Sequence, residues 1–277
     1  MHDIMQLYPP RQQQHVLRGL YLNLNLHRLA APGDLLIYAN YIASVDGRIA
    51  VRKSGDGDFV VPKTIANKRD WRLYQELAAQ ADVMLTSARY FRQLAQGGAQ
   101  GSAQDLLPVG SEPEYADLAA WRLQQGMPAQ PDVVILSNSL EIPAAALDKV
   151  QDRRITICTS ERADHRQIDR LTSLGATVCM AGSDRVEGQL LRQQLIALNY
   201  RSAYMIAGPD VHRTLVADGA LDQLFLTTRL NLLGHDDFRT IMSGQLEQPA
   251  HLHLQQLYLD QNSASPQLFA QYTLHPA

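Results

Sequence analysis

A chain of 277 residues suits one large domain or two small ones at roughly 100–200 residues each, and its 45% apolar content is enough to bury a substantial core. With 19% charged residues, a net charge of −3 and Lys and Arg scattered rather than striped among aromatics, the composition argues against a disordered tail and against a nucleic-acid surface. No run of about 18 apolar residues is long enough for a membrane span, and the polar stretch Met1 to His15 lacks a signal-peptide core, so the expectation is a cytoplasmic protein.

Residues 1–33 are rich in Gln, Asn and Leu and end at Ala31-Pro32-Gly33. They read as an N-terminal extension packed on a domain that spans residues 34–277. Leu35–Ala43 is the first strong strand, and Ser44-Val45-Asp46-Gly47-Arg48 turns the chain. Gly55-Asp56-Gly57-Asp58 reads as a loop. Trp71, Tyr74, Leu77, Ala78 and Ala81 recur at three- and four-residue spacing, which predicts a helix over 66–81. A short strand follows at Val83–Thr86. Residues 97–130 are loop-rich, with a helix from Glu114 to Gln125, and read as an insertion because Val133–Leu136 resumes the strand pattern.

Beyond that point the rhythm is regular. Strands are expected at Ile155–Thr159, Ala176–Cys179, Ala203–Ala207 and Leu221–Leu230, and helices at Asp164–Ser173, Val186–Leu198 and from Gly208-Pro209 to Asp218. The segment from His251, above all Gln267 to Leu274, is β-like and reads as closing an edge. Strands alternating with helices predict a three-layer α/β/α sandwich with a mostly parallel sheet and an antiparallel C-terminal edge. Ligands of such sheets bind at the carboxyl ends of the strands. Two marked features fall there: the Ser44–Arg48 turn and Ala207-Gly208-Pro209.

Each candidate residue has a structural and a functional reading. Asp-Gly is a common turn, because Gly accepts positive φ and Asp bonds its own backbone. Asp46 is otherwise an acid at the mouth of a pocket, placed to orient a substrate or supply a proton. Gly208-Pro209 is either a plain turn or a close approach of backbone to phosphate at a helix start, where His212 would meet the anion. Thr86-Ser87-Ala88-Arg89 offers two hydroxyls and a guanidinium for phosphate, or an ordinary helix cap. Cys158 and Cys179 lie in apolar runs outside any CxxC and read as two buried reduced thiols. His251 and His253 share a strand face without a third ligand nearby, so no metal is expected.

The stretch "YIASVDGRIAV" resembles the S-[LV]-D-G-[KR]-x-A signature of the riboflavin-pathway pyrimidine reductases, which carry a dihydrofolate-reductase-like fold. "RDWRLYQELAAQADVML", "VVILSNSLEIP" and "MIAGPDVHRTLVADGALDQLFLTTRLNLLG" are similar to later landmarks of that family, in order, over Asp34 to Gly234. The resemblance implies a homodimeric NADPH-dependent oxidoreductase that reduces the ribosylamino group of a phosphoribosylaminopyrimidine to ribitylamino. It places Ala43 beside the nicotinamide, Asp46 near the reacting sugar carbon and Gly208, Pro209, Asp210, Val211 and His212 around the pyrophosphate. Ser137, Asn138, Thr159 and Ser160 fall where such enzymes hold the adenosine phosphate.

The chain departs from the family at five places, several of them substrate contacts. A Lys becomes Asn40, a Ser-x-Trp becomes Gly57-Asp58-Phe59, a helix Arg falls on Gln75, the G-x-x-T falls on Ser87 to Tyr90, and a Glu becomes Ile206. Each bond from such an Arg to a phosphate is typically worth ~1.5–3 kcal/mol. Arg48, Lys53, Lys63, Arg69 and Arg72 are the candidates to restore the missing charge. The alternatives are a reductase of the same fold with another substrate, or a nucleotide-binding protein without turnover.

Overall fold

A computed structural model describes residues 4–10, 13–52, 59–95, 106, 108–150, 152–261 and 266–275. The strands run β1 (Ile4–Tyr8), β2 (Gln14–His15), β3 (Leu36–Ser44), β4 (Ala50–Arg52), β5 (Phe59–Val60), β6 (Val83–Ser87), β7 (Asp132–Leu136), β8 (Ile155–Thr159), β9 (Thr177–Met180), β10 (Ser202–Met205), β11 (Gln223–Arg229), β12 (Phe238–Arg239), β13 (His251–Asp260) and β14 (Gln267–His275). The helices are α1 (Lys68–Ala78), α2 (Ala88–Ala95), α3 (Ala116–Gln124), α4 (Ala144–Leu147), α5 (His165–Ser173), α6 (Gly188–Ala197) and α7 (Pro209–Ala217).

Eleven strands form one sheet in the order β2-β1-β13-β14-β11-β3-β10-β6-β7-β8-β9. From β11 to β9 every neighbouring pair is parallel; from β11 outward through β14, β13, β1 and β2 every pair is antiparallel. The expected sandwich, mostly parallel with an antiparallel side, is present. The β-like tail lies inside that side rather than at its rim: β14 pairs with both β11 and β13, and the N-terminal β1 and β2 are outermost.

The layers follow from side-chain alternation along buried strands. Leu36 and Tyr38 join Leu73, Tyr74 and Leu77 of α1, Phe91 of α2 and Leu171 of α5 in one apolar cluster. Leu35, Ile37, Ala39, Tyr41 and Ala43 join Leu191 and Leu195 of α6 and Leu215 of α7 in the other. Both faces of β3 are therefore buried, which is why it reads as an almost continuous apolar run.

Residues 19–26 are built into the first face. The buried carboxylate of Glu76 accepts from the amides of Gly19 (2.6 Å), Tyr21 (2.9 Å) and Leu22 (3.4 Å) and from Arg72 Nε (2.8 Å). Gln80 Oε1 accepts from Leu26 N at 2.8 Å, and Tyr21 packs on Phe225. The predicted helix over 66–81 is shorter at both ends. Asn67 caps it by accepting from the Arg69 and Asp70 amides, and Ala79 closes it before the strand.

Candidate functional site

Asp46 sits in a tight turn beyond β3. Gly47 adopts φ +79°, a left-handed conformation that favours glycine, and its amide donates to Ser44 O at 2.9 Å. The Asp46 carboxylate accepts from the Ser44 hydroxyl, from Arg48 Nη1 at 2.5 Å, and from the amides of Leu233 (3.1 Å) and Gly234 (3.0 Å). The Ser44 hydroxyl, then the Gly234 amide, hold its pKa down to about 2. At neutral pH this group is a carboxylate with four donors around it. It can orient neighbours, and it is a poor source of protons.

The second marked turn follows β10, the neighbour of β3 in the sheet. Gly208 is the N-cap of α7, Pro209 occupies the first helical position, and no side chain caps the helix. A Cβ added to Gly208 would meet nothing within 4 Å, so the backbone borders open space. Ala43 and Ala207 line the same face of the sheet. Asp210 accepts from the Ser243 hydroxyl. His212 is buried, its ring tilted against Tyr41 at a centroid distance of 5.0 Å, with Nδ1 2.6 Å from Ile241 O. A carbonyl only accepts, so Nδ1 carries the proton. Burial lowers the His212 pKa, and the ring is neutral near pH 7. His212 therefore ties the 240–244 loop to α7 and is not an open anion contact. Val211 lies between, half-buried in the first turn of α7.

The residues assigned to substrate gather on the opposite face, apart from Phe59. Ile206 packs among the α1-side cluster, Gln75 is buried on α1, and Asn40 has the strand parity of Leu36 and Tyr38. Asn40 Nδ2 is buried without a partner among the described residues. Phe59 lies instead in a small sheet ordered β12-β4-β5, where Arg52 and Arg239 stack on its ring at 4.7 and 4.4 Å.

The basic residues expected to compensate at the substrate positions are engaged elsewhere. Arg69 Nε holds Asp260 at 2.6 Å, and Arg72 binds Glu76 at 2.8 Å and both oxygens of Asp117 at 2.8 and 2.7 Å. Arg48 is on Asp46. Lys63 is exposed, and Lys53 lies outside the described residues with Gly57 and Asp58.

A residue missed in the sequence stands out on this face. Asp70, in the first turn of α1, is 8% exposed, and its Oδ1 has no partner among the described residues. Burial drives its pKa up to about 6, opposed by the Thr227 hydroxyl and the Arg229 guanidinium of β11. Asp70 in turn raises the pKa of buried Tyr21, after the larger effect of burial itself. Arg229 Nη1 reaches Gln267 Oε1 at 3.3 Å, which also accepts from Asn67 Nδ2 at 2.9 Å. The sequence signal was present: Asp70 precedes Tyr74 and Leu77 by four and seven residues, so a carboxylate sits on the inward stripe of the helix. Of the two acids, Asp70 is the one whose proton can be exchanged near neutral pH.

The remaining candidates line the carboxyl ends of β6, β7 and β8. Ser87 ends β6, and Arg89 is exposed on α2. Ser137 Oγ accepts from Leu140 N at 3.0 Å, a turn contact, while Asn138 is exposed. Thr159 is fully buried with Oγ1 unpartnered among the described residues. No cluster of three or more His, Cys, Asp or Glu able to hold a metal occurs among the described residues, and no described helix is long and apolar enough to cross a membrane.

Comparison with known proteins gives the same picture from outside. The model of the RibD C-terminal domain family matches residues 36–264. A riboflavin biosynthesis protein RibD of Bacillus amyloliquefaciens is 31% identical over 117 residues, covering 42% of this chain and 32% of the relative, so the match spans about a third of that protein's length. A pyrimidine reductase-like protein of Corynebacterium diphtheriae superposes with a TM-score of 0.66 at 18% identity, covering 88% of this chain and 93% of the other. RibD of Acinetobacter baumannii gives 0.60 at 16% identity, covering 88% and 58%. The Saccharomyces cerevisiae riboflavin biosynthesis reductase Rib7 gives 0.57 at 12% identity, covering 93% and 99%. At these identities the structures share the fold. With the signature turn at the end of β3, the glycine-proline turn at the end of β10 and a family match over most of its length, the chain belongs to the RibD C-terminal domain family.

Proposed function

We propose that the chain is an NADPH-dependent reductase, acting on the open-chain sugar carbon of a phosphoribosylaminopyrimidine to give the ribitylamino product. The observation that carries this reading is the meeting of the two marked turns at the carboxyl ends of neighbouring parallel strands, β3 and β10, in a member of this family. The residues present fit a dinucleotide. The uncapped start of α7 and the open space beside Gly208 suit a phosphate, and the unpartnered Thr159 hydroxyl suits a polar group further along the strand ends. Gly208, Pro209, Asp210 and Val211 would frame the pyrophosphate, with His212 behind them tying the 240–244 loop to α7, Ala43 the nicotinamide side, and Ser87, Arg89, Ser137, Asn138 and Thr159 the adenosine side. The cofactor supplies the hydride.

On the other face Asn40, Gln75 and Ile206 are the substrate residues, with Phe59 contributed by the small sheet. Asp46 orients the sugar from its turn, and Asp70 is the better candidate for proton exchange. The engagement of Arg69 and Arg72 favours a second reading, a reductase of this fold whose substrate lacks the phosphate those side chains would have gripped. A dimer fits the uncovered apolar side of the antiparallel strands, where Met5, Leu7 and Leu252 are 41%, 40% and 45% exposed. A cytoplasmic setting fits the two free thiols.

The test is a fluorescence titration with NADPH, using NADH as control, followed in the same cuvette by the phosphoribosylaminopyrimidine. Micromolar NADPH binding with oxidation on addition supports the first reading. Binding without oxidation turns the assignment to other pyrimidines or to a binding role, and no binding overturns the reductase.

A further inference from the structure

Cys158 and Cys179 are 21 residues apart in sequence but are register partners on the adjacent strands β8 and β9. Their Sγ atoms lie in direct contact, 2.9 Å apart. Both are free; Cys158 is fully buried, and Cys179, on the outermost parallel strand, is partly exposed. The expectation of two buried thiols is corrected for Cys179, because β9 has a neighbour on one side only. Adjacent strands run ~4.8 Å apart. That spacing falls within the ~4.4–6.8 Å Cα separation of disulfides.

We propose that Cys158 and Cys179 form a reversible dithiol–disulfide site that exchanges with small-molecule disulfides. The Cys179 thiolate attacks the reagent's S–S bond, forms a mixed disulfide and releases one small thiolate. Cys158 then loses its proton and attacks Cys179 Sγ. The bond to the reagent breaks, and the second small thiolate leaves and takes up a proton. Two protein thiols are oxidised and one disulfide is reduced. The order follows from burial, since Cys179 is the less buried of the two thiols. The hydrogen bond between the pair, which lowers Cys179 and raises Cys158, agrees with it.

The cross-link would lie beside a candidate cofactor residue. Ala181 N donates to Thr159 O at 2.8 Å, and Glu161 N to Gly182 O at 2.9 Å, so the two strand ends are already tied just beyond the cysteines. Gly182 adopts φ +153°, and a Cβ there would meet Arg185 O at 1.9 Å, which leaves the following loop little freedom to move away.

The experiment treats the full purified chain with oxidised glutathione. It reads intact mass, free thiols in denaturant, a non-reducing gel and the thermal midpoint. The chain has two cysteines, so an internal disulfide can only be this one. The expected product is a chain without covalent cross-link to another, lighter by two hydrogens, without titratable thiols, melting about 5 °C higher, and restored by dithiothreitol. In Cys158→Ser the glutathione adduct on Cys179 accumulates. A stable adduct on Cys179 in the unsubstituted chain, a chain-to-chain cross-link or two unreacted thiols overturns the proposal. Failure of the adduct to form in Cys158→Ser also overturns it. None of these readouts depends on reductase activity.

Discussion

Replacing Asp70 by Asn tests the assignment of a protonatable acid on the α1 face. The folded pKa of Asp70 is raised from 3.8 to about 6, first by burial. A raised folded pKa gives a stability contribution that is complete below the unfolded value and lost as pH climbs through the folded one. Asn cannot ionise, so it escapes that loss. At 1.36 kcal/mol per unit, the advantage of Asp70→Asn over the parent chain is about 1 kcal/mol at pH 4.5 and about 3 kcal/mol at pH 8. Any hydrogen bond that the amide makes less well than the protonated acid adds an offset that does not vary with pH. The assay is urea unfolding of both proteins by circular dichroism across that range, and the readout is how their difference changes. A difference independent of pH would refute the reasoning and make Asp70 an ordinary ionised helix-start carboxylate. If Asp70 also exchanges a proton in turnover, the same variant loses the rise or fall of kcat centred near pH 6.

Three further outcomes follow from the geometry. Gly208→Ala keeps a φ of −76°, which alanine adopts, and places its methyl in open space, so stability changes by less than about 0.5 kcal/mol while NADPH affinity falls roughly tenfold or more; equal losses of both would mark the turn as structural. Asp46→Asn lowers turnover without moving the acidic limb of the pH profile above about pH 4, because the carboxylate already sits at about 2; turnover within a few-fold of the parent would leave the acid as a turn former. Glu76→Ala leaves the amides of Gly19 and Tyr21 and Arg72 Nε without their acceptor while Arg72 keeps Asp117, costing about 2–4 kcal/mol by thermal or urea unfolding and exposing residues 19–26 to protease; a loss under about 1 kcal/mol would contradict the inferred anchoring.

The parallel core was legible because its strands are buried on both faces and its helices carry regular apolar stripes. Leu36–Ser44 and Gln223–Arg229 lie within a residue or two of where pattern alone put them. The edge was harder to see. Ile4–Tyr8 buries Ile4 and exposes Met5 and Leu7, so its composition resembles a surface segment, and its partner in β13 is remote in sequence. The small sheet of β4, β5 and β12 is held by stacking of Arg48 on Phe238 and of Arg52 and Arg239 on Phe59, contacts between residues that no local period links. The two turns were found by motif, but the state of Asp46 depends on amides from Leu233 and Gly234, far along the chain. Asp70 was readable as a charge on an apolar stripe and was overlooked because an acid in a first helical turn has an ordinary explanation in the helix dipole.

The pairing of Ile4 with Asp260 has a kinetic meaning. Strand β1 is linked to β11 only through β13 and β14, so the first described strand in sequence is expected among the last to be secured. Until then residues 19–26 can dock on α1 through Glu76 and Gln80 and keep the leading segment close to where it is needed. Closure across such a separation is slow. The antiparallel side should therefore gain amide protection later than the parallel core in a refolding experiment, and a chain released early would present an unpaired β13 to its neighbours.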